Sequence, residues 1–457
     1  MITFQDLQNV GADENARMEL CLKIIDEHKG SALFDEAAIA EEYDKQRNVT
    51  IYQYQKLLYT LSGAAVPDNY SANHKCASNF FHRFVTQTNQ YLLGNGITFE
   101  DENIKKAIGG DSFDKALKKV GRNALKGAVS FGFYNLDHVE VFSVLEYAPL
   151  YDEETGALSA GVRFWQLADD KPLRFTLYEL DGYTEYIKKS GQPAEVFAEK
   201  RPYILKVALN DSGEEIIDGR NYAAFPIVPC YGINKQSMLV GMRENIDVYD
   251  LIKSGFANDV DDASLIYWTL QNAGGMDDID LARFVERMHT VKAAVVDGDN
   301  GATAEAHTVE VPSASREALL TRIENDLYRD AMVLNVNVIS AGNVTATAIN
   351  AAYNPQDDNS CDFEDNIVDF VDGILALAGY DENTKYTFKR NRIANQLEET
   401  QMILSAGQFL DQETVVRHLP FLASDEIDGI ITRLTREEAD RYTDEDETDT
   451  EDETPEV

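Results

Sequence analysis

Residues 313–380 constrain the fold of this chain more than any other stretch, because they read as two long helices joined by an uncharged segment. The first helix is predicted to begin after Pro312, with Ser313 or Ser315 as its N-cap. Residues 335–344 then break the helical pattern with three Asn, one Gly and no charged side chain. Apolar residues recur at helical spacing along both arms, at Leu320, Ile323, Leu327, Ala331 and Leu334 and at Phe363, Ile367, Phe370, Ile374 and Leu377.

The second helix also carries four aspartates opposite its apolar stripe, at Asp362, Asp365, Asp369 and Asp372. Such a row is able to bind divalent ions, but a solvated helix face is the interpretation we favour. The simplest interpretation of the whole stretch is an αα-hairpin in a core. That interpretation leaves the neutral linking segment unexplained in so acidic a chain.

The composition argues against a chain that binds phosphates through basic residues. Lys and Arg number 41 against 80 Asp and Glu, a net charge of −39, whereas affinity for nucleic acid comes largely from Lys and Arg. A length of 457 residues predicts about two to four domains. Four cysteines without a CxxC pair fit a reducing compartment, and we expect neither a signal peptide nor a membrane span.

The hydrophobic period changes several times along the chain. Residues 1–60 and 73–93 read as helical, and residues 128–229 alternate apolar with polar between turn signals, as in an antiparallel sheet whose last stretch, 225–229, leaves the sheet. A helix is predicted over 241–272, with Tyr267 on its apolar stripe. Residues 276–312 read as a small mixed α/β unit, so a module is inserted at the tip of a two-helix stalk.

The rest of the sequence carries no signature of catalysis. It has no P-loop, no HExxH and no ligand spacing among its seven histidines. Residues 297–301 resemble the start of a calcium loop, but they lack the third ligand and the Glu at position twelve, so a hairpin turn is favoured. We therefore predict no catalytic residue, no cofactor and no metal.

The order of these segments resembles the phage portal protein family, specifically the portals of tailed siphophages of Gram-positive hosts. YLLGNGI at 91–97 is similar to the family's YLLGxPI, with Gly96 where Pro is usual, and TATAI at 345–349 stands where the family often has SGxAL. Further similar segments, over about residues 40–440, are 124–133, 145–154, 161–165, 225–229, Asn234, 246–250, 388–391 and 396–400.

The resemblance implies an α+β portal fold with a helical stem, an inserted α/β clip, a β-rich wing with a long wing helix, and a helical crown. The implied divisions are N-terminal helices and β-rich wing (1–240), stem helix (241–272), clip (273–312), second stem helix (313–334), tunnel loop (335–346), wing helix (347–390), crown (391–440) and disordered acidic tail (441–457).

It also implies a function: a ring of subunits, usually a dodecamer, through which double-stranded DNA is packaged and ejected without sequence-specific binding. The implied partners are a terminase large subunit, a head–tail adaptor, and scaffolding and major capsid proteins, in the virion and, during assembly, the host cytoplasm. The residues expected to act are the DNA-facing Asn335, Asn337, Ser340, Asn343 and Thr345, the clip residues Asp277, Asp278, Asp280, Arg283 and Arg287, and the stem-packing residues Phe256, Val260, Leu320, Ile323 and Leu327.

An acidic bore with a neutral loop suits a translocation channel, because each phosphate neutralised by a cation would add affinity and hence friction. Two alternatives stay open at this stage. One is an acidic cytosolic enzyme that uses carboxylates or a metal, and the other is a different minor capsid-associated structural protein. The oligomeric state separates the enzyme from the ring.

Overall fold

A computed structural model describes most of the chain. The described residues are 2–60, 62–69, 71–209, 215–263, 267–271, 278–290, 303–307, 312–336, 346–380, 384–392, 400, 403–407, 409–419, 427 and 429–436. Contacts divide the chain into two units, one made of residues 1–334 and 355–390, the other of residues 335–354 and 391–457. The tail predicted to be disordered lies outside the described residues.

The N-terminal region is helical, as its pattern predicts. It forms α1 (Phe4–Val10), α2 (Glu14–Lys29), α3 (Ala32–Asp44) and α4 (Val49–Gln53), then the strands β1 (Leu57–Tyr59) and β2 (Ala65–Pro67), and then α5 (Phe80–Leu93), β3 (Ile97–Phe99), α6 (Glu102–Ala107) and α7 (Asp111–Gly127). Side-chain caps fix the starts of two helices, since Asp13 accepts from the backbone of Asn15 and Ser31 accepts from that of Phe34.

The β-rich block is confirmed. It consists of β4 (Val129–Asn135), β5 (His138–Ser143), β6 (Tyr147–Tyr151), β7 (Leu158–Trp165), β8 (Leu173–Glu179), β9 (Gly182–Lys188), β10 (Ala194–Arg201), β11 (Ile204–Leu209), β12 (Glu215–Arg220) and β13 (Ile227–Tyr231). Strands β6 to β10 form a five-stranded antiparallel meander, β13, β4 and β5 form a three-stranded sheet, and β11 pairs with β12. The prediction that 225–229 leaves the sheet is wrong, because β13 pairs with β4, at an edge where Pro229 is tolerated.

The C-terminal half contains α8 (Arg243–Ala263), β14 (Tyr267–Gln271), α9 (Asp278–Thr290), β15 (Thr303–His307), α10 (Ser313–Asp330), α11 (Ala346–Leu377), β16 (Tyr386–Phe388) and α12 (Gln412–His418). The helix predicted over 241–272 is therefore too long. Aromatic and β-branched residues at 267–271 instead form a strand that pairs with β15, a partner that a local pattern does not reveal.

Two helix starts also differ from the prediction. Helix α5 begins at Phe80 rather than near residue 73, because the preceding segment is extended and bonds to α8, as described below. Helix α10 begins at Ser313 with Pro312 at the N-cap and no side-chain cap, so neither Ser313 nor Ser315 has that role.

Among the described residues, three apolar clusters hold the larger unit together. One lies between the two main sheets, around Phe131, Phe142 and Tyr147, and another joins α2 to one face of the meander. The largest cluster gathers α5, α7, α10 and α11, and it includes the predicted stripe residues Ile323, Leu327, Phe363, Ile367, Phe370 and Ile374. The predicted apolar stripes are thus confirmed, and the four aspartates of α11 lie exposed on its other face.

The smaller unit is described in short pieces. It contains the first residues of α11, where Tyr353 is buried and the Arg392 guanidinium lies 5.7 Å from its ring centroid. It also contains α12, whose N-cap Asp411 accepts from the backbone N–H of Thr414 at 2.9 Å. In the region predicted as a crown, the described helical residues are α12 and residues 400, 403–406, 427 and 429–436.

Candidate functional site

Helices α8 and α10 pack against each other in antiparallel directions. Near the end of α8, Asp259 forms an ion pair with Arg316 at the start of α10, and the Arg316 guanidinium lies 6.0 Å from the Phe256 ring centroid. At the opposite end, Tyr249 and Tyr328 both contact the ring of Phe80, at centroid distances of 4.9 and 6.4 Å. The two helices therefore form a paired stalk.

A module lies between these helices in the sequence, and the strands at its two ends pair with each other. Strand β14 begins four residues after α8, strand β15 ends six residues before α10, and the two pair in antiparallel register from Tyr267–His307 to Gln271–Thr303. Helix α9 lies between them in sequence. This supports the prediction of an α/β insertion, because the strand pair brings the incoming and outgoing chain together.

A polar stripe on α8 binds an extended segment that precedes α5. The backbone N–H groups of His74, Cys76 and Ser78 donate, in order, to side chains that lie four residues apart on the helix: Asn258 at 2.7 Å, Ser254 at 2.9 Å and Asp250 at 2.8 Å. The spacing fits because four helical residues rise about 6 Å and two extended residues span about 6.6 Å. We call residues 74–78 the strap.

The strap continues into a buried polar cluster on the same helix face. The Asn48 amide donates to the Asp250 carboxylate and, at 3.1 Å, to the Ser78 carbonyl. One turn earlier, Asp247 accepts from the hydroxyls of Tyr43 and Thr50. Burial raises the pKa of Asp250, although the hydrogen bonds from Asn48 and Ser78 oppose the shift. This face of α8 is thus fixed to the N-terminal helices.

The segment that leaves α10 is anchored to α11 just before the uncharged stretch begins. The backbone N–H of Leu334 donates to Gln356 Oε1 at 3.2 Å, and Gln87 Nε2 donates to the Leu334 carbonyl at 3.0 Å. Gln356 is buried, and Met332 adopts a positive φ of 51° as the chain turns off the helix. The uncharged stretch therefore starts from a fixed point.

A second anchor begins at the next residue of α11 and extends about two turns further along the helix. The Arg390 guanidinium donates to Asp357 and to Glu364, each at 2.9 Å, and Asp357 also accepts from the Tyr91 hydroxyl. Strand β16 precedes Arg390 and pairs with β3. Helix α11 is therefore bound on one side to α5, which precedes β3, and on the other to Arg390, which follows β16.

The residues predicted for the DNA-facing loop are mostly not described. Asn335 is half-buried, one residue beyond the Leu334 anchor, and Asn337, Ser340, Asn343 and Thr345 lie outside the described residues. In the predicted clip interface, Asp277 lies outside them, Asp278 is the first residue of α9, Asp280 and Arg283 form an ion pair of 3.6 Å, and Arg287 is exposed.

The predicted stem-packing residues fall into two groups. Ile323 and Leu327 are buried in the subunit's own core, and Phe256 and Leu320 are half-buried. Val260 differs from these, with 53% of its surface exposed. Of this set, Val260 is the most available to a neighbouring molecule.

The sequence analysis missed two sets of polar contacts, those that α8 makes with the strap and those that hold Leu334 after α10. Positions 247, 250, 254, 258 and 261 repeat at helical spacing opposite the apolar stripe, and two of them are uncharged Asn and Ser. That pattern indicates a second packed face, which the prediction for this helix, based on its apolar stripe, leaves out. Gln356 gave no signal, because one glutamine near Pro355 does not stand out.

Two further observations on the described residues concern metal sites and membrane spans. Within the described ranges, no three His, Cys, Asp or Glu side chains come together in a way that would hold a metal ion. Of the helices that the structure describes, none combines the length and the apolar character needed to cross a bilayer.

Taken together, the described residues form a paired helical stalk, an inserted α/β module and a β-rich body. Comparison with known proteins gives the family. The chain matches the phage portal protein family, SPP1 Gp6-like, over residues 38–452, and it therefore belongs to that family. The predicted α+β portal fold and the family assignment are confirmed.

Two relatives are named portal proteins, and both come from phages of Gram-positive hosts. That of Clostridium phage phiCD119 is 25% identical over 382 residues, covering 77% of this chain and 82% of the relative. That of Bacillus phage SPP1 is 23% identical over 444 residues, covering 88% and 83%. A solved structure, the neck of an empty GTA particle computed with C6 symmetry, matches with a TM-score of 0.41 and 11% identity over 76% of this chain and 88% of that chain.

Proposed function

We propose that this chain assembles into a ring of subunits, a dodecamer, at one vertex of a phage capsid. Double-stranded DNA passes through this ring during packaging and ejection. The module between α8 and α10 is the clip, which docks the terminase large subunit and later a head–tail adaptor. Residues 335–345 form the tunnel loop, α11 forms the wing helix, and scaffolding and major capsid proteins contact the outside. The wing helix predicted over 347–390 is too long, because α11 ends at Leu377 and the strand β16 follows it.

One observation supports this proposal most directly: the uncharged stretch begins one residue after an anchored point at the end of a paired stalk. The Leu334 N–H and carbonyl are both bonded, to Gln356 and Gln87, so the stretch starts from a fixed position. A loop that contacts moving DNA needs a fixed first residue, because a loosely held start would be displaced by the force that the DNA exerts on the loop.

The charges of the stalk favour passage over binding. Helix α8 carries six acidic and two basic residues, and α10 carries four acidic and three basic residues. The described bases of α10 pair with acids, as Arg329 does with Asp326 at 3.0 Å and Arg316 with Asp259. Few cations are left to grip phosphates, so the salt-dependent affinity that slows movement stays small.

Negative-stain electron microscopy of the purified protein tests the proposal. Rings with a central hole are expected, whereas a monomer or dimer at all concentrations, with or without scaffolding protein, would contradict it. Val260→Asp is the variant that tests assembly. The Val260 side chain is exposed in the subunit, so the substitution removes a ring contact while the subunit stays folded. Leu327→Asp, the obvious choice from sequence, places a charge in the subunit core and would unfold the chain first.

A further inference from the structure

Strands β1 and β2 form an antiparallel hairpin. Leu57 pairs with Pro67, Leu58 with Val66 and Tyr59 with Ala65. The turn is closed by a bond from the Thr60 N–H to the Ala64 carbonyl at 2.9 Å, and Gly63 supplies the positive φ of 83°. We call residues 57–67 the arm.

Neither face of the arm is covered by the rest of the described chain. Leu58 and Val66 lie on one face and Leu57 and Tyr59 on the other, and all six strand residues are exposed, with Tyr59 at 74%. A two-stranded hairpin alone in water is marginally stable at best, and apolar side chains on both faces gain by being covered. The arm is therefore built to be packed on by something else.

The root of the arm is held firmly. The Lys75 ammonium donates to the Tyr54 carbonyl and lies 5.1 Å from the Tyr54 ring centroid, and the Asp68 N–H donates to the Lys56 carbonyl at 2.8 Å. Lys75 itself belongs to the strap, which α8 binds through Asn258 and Ser254. The arm thus projects from a fixed position beside α8.

Charge indicates which partner the arm fits. Residues 57–67 contain no charged residue, in a chain whose net charge is −39. They offer no Lys or Arg for DNA and no carboxylate for a basic protein. A second copy of this chain is strongly acidic, and two copies approach each other at least cost through uncharged, apolar patches.

The same chain offers exposed apolar side chains where the end of α8 meets the start of α10. Val260 follows Asp259 and Leu319 lies one turn after Arg316, so both are close to the ion pair that joins the two helices, and both are exposed. Two different apolar surfaces on one chain make a head-to-tail contact, and such contacts close into rings when the rotation allows.

We propose that the arm of each subunit docks on the exposed apolar residues of the α8–α10 pair of the next subunit. This inference rests on the proposed ring and names the contact that closes it. Its occupant is a second copy, held by apolar contact.

The test uses the full-length chain with Leu58→Glu and Val66→Glu together, and Leu167→Glu as a control that adds charge at a residue 89% exposed in the wing. Native mass spectrometry at matched concentrations measures the ring fraction, and circular dichroism checks that the subunits stay folded. We expect at least about a tenfold lower ring fraction for the arm variant than for the control. Equal ring fractions in both variants would overturn the inference.

A photo-crosslinking residue in place of Tyr59 identifies what the arm touches. Covalent dimers joined from position 59 to α8 or α10 of another copy support the inference, and crosslinks confined to one chain, to DNA or to a scaffolding protein overturn it. The two proposals fail separately: a wild-type chain that forms no ring defeats the ring first, whereas normal rings from the arm variant defeat only the arm.

Discussion

The backbone N–H of Ser78 donates a hydrogen bond of 2.8 Å to the carboxylate of Asp250, which is fully buried on α8. Two turns further along the helix, Asn258 accepts from the backbone of His74. The extended strap before α5 is therefore bound to the helix side chain by side chain. Because Lys75 of the strap also binds the Tyr54 carbonyl at the root of the arm, these bonds connect the fold of the subunit to its proposed contacts in a ring.

Ser254→Ala removes the acceptor for the Cys76 N–H while leaving the helix intact. An unsatisfied buried donor costs about 1–3 kcal/mol, so the free energy of unfolding is expected to fall by that amount. Chemical denaturation measures it. Lys253→Ala, at an exposed position of the same helix, is the control and should change stability by less than about 0.5 kcal/mol. Equal effects of the two substitutions would show that the strap bond contributes nothing.

Asp250→Asn tests the buried carboxylate through pH. Burial raises the pKa of Asp250 in the folded chain, so the folded state binds this proton more tightly than the unfolded state. Its contribution to stability is complete below the unfolded pKa of about 4 and is lost as pH rises through the folded pKa. The stability of the wild type relative to Asp250→Asn should therefore be greater at about pH 5 than at about pH 8. A pH-independent difference in urea midpoints would contradict this.

Gln356→Met tests the anchor of the uncharged stretch. The substitution keeps the side-chain length but leaves the buried Leu334 N–H without its acceptor, at a cost of about 1–3 kcal/mol. Hydrogen exchange at Leu334 is expected to speed up, with little change elsewhere in α11. Asp358→Ala, at an exposed position two residues away, is the control. Unchanged protection of Leu334 in Gln356→Met would rule out the anchor.

The Asp259–Arg316 ion pair links the two stalk helices close to the inserted module. A double-mutant cycle with Asp259→Ala and Arg316→Ala should give a coupling free energy of about 0.5–1 kcal/mol, because both side chains are partly exposed and screened by solvent. Thermal unfolding at low and high salt measures it, and the coupling should shrink as salt rises. Zero coupling at low salt would mean that the pair does not hold the helices together.

The sequence predicted the parts of the fold in which local period and tertiary packing agree. The stripes of α10 and α11, the strands of the β-rich block and the insertion between two helices follow from spacing alone. The predictions fail where a partner distant in sequence determines the local structure. Tyr267 lies in a strand because residues 303–307 pair with residues 267–271. Residues 74–78 stay extended because side chains of α8 bind their N–H groups.

The candidate site was predictable to a smaller extent. Uncharged composition identifies the stretch after Leu334, but nothing local shows that Gln356 and Gln87 hold its start, since both are separated from it in sequence. The apolar stripe of α10 suggested that Leu327 contacts a neighbouring subunit, yet Leu327 is completely buried within its own subunit. A helix periodicity shows that a face is packed without showing whether the partner lies in the same chain.

The most direct test of the account is a cryo-electron microscopy reconstruction of the assembled protein without imposed symmetry. The account predicts a ring with an open central channel, α8 and α10 beside that channel, and residues 335–345 facing it. An assembly without a channel, or one with residues 335–345 turned to the outer surface, would contradict it.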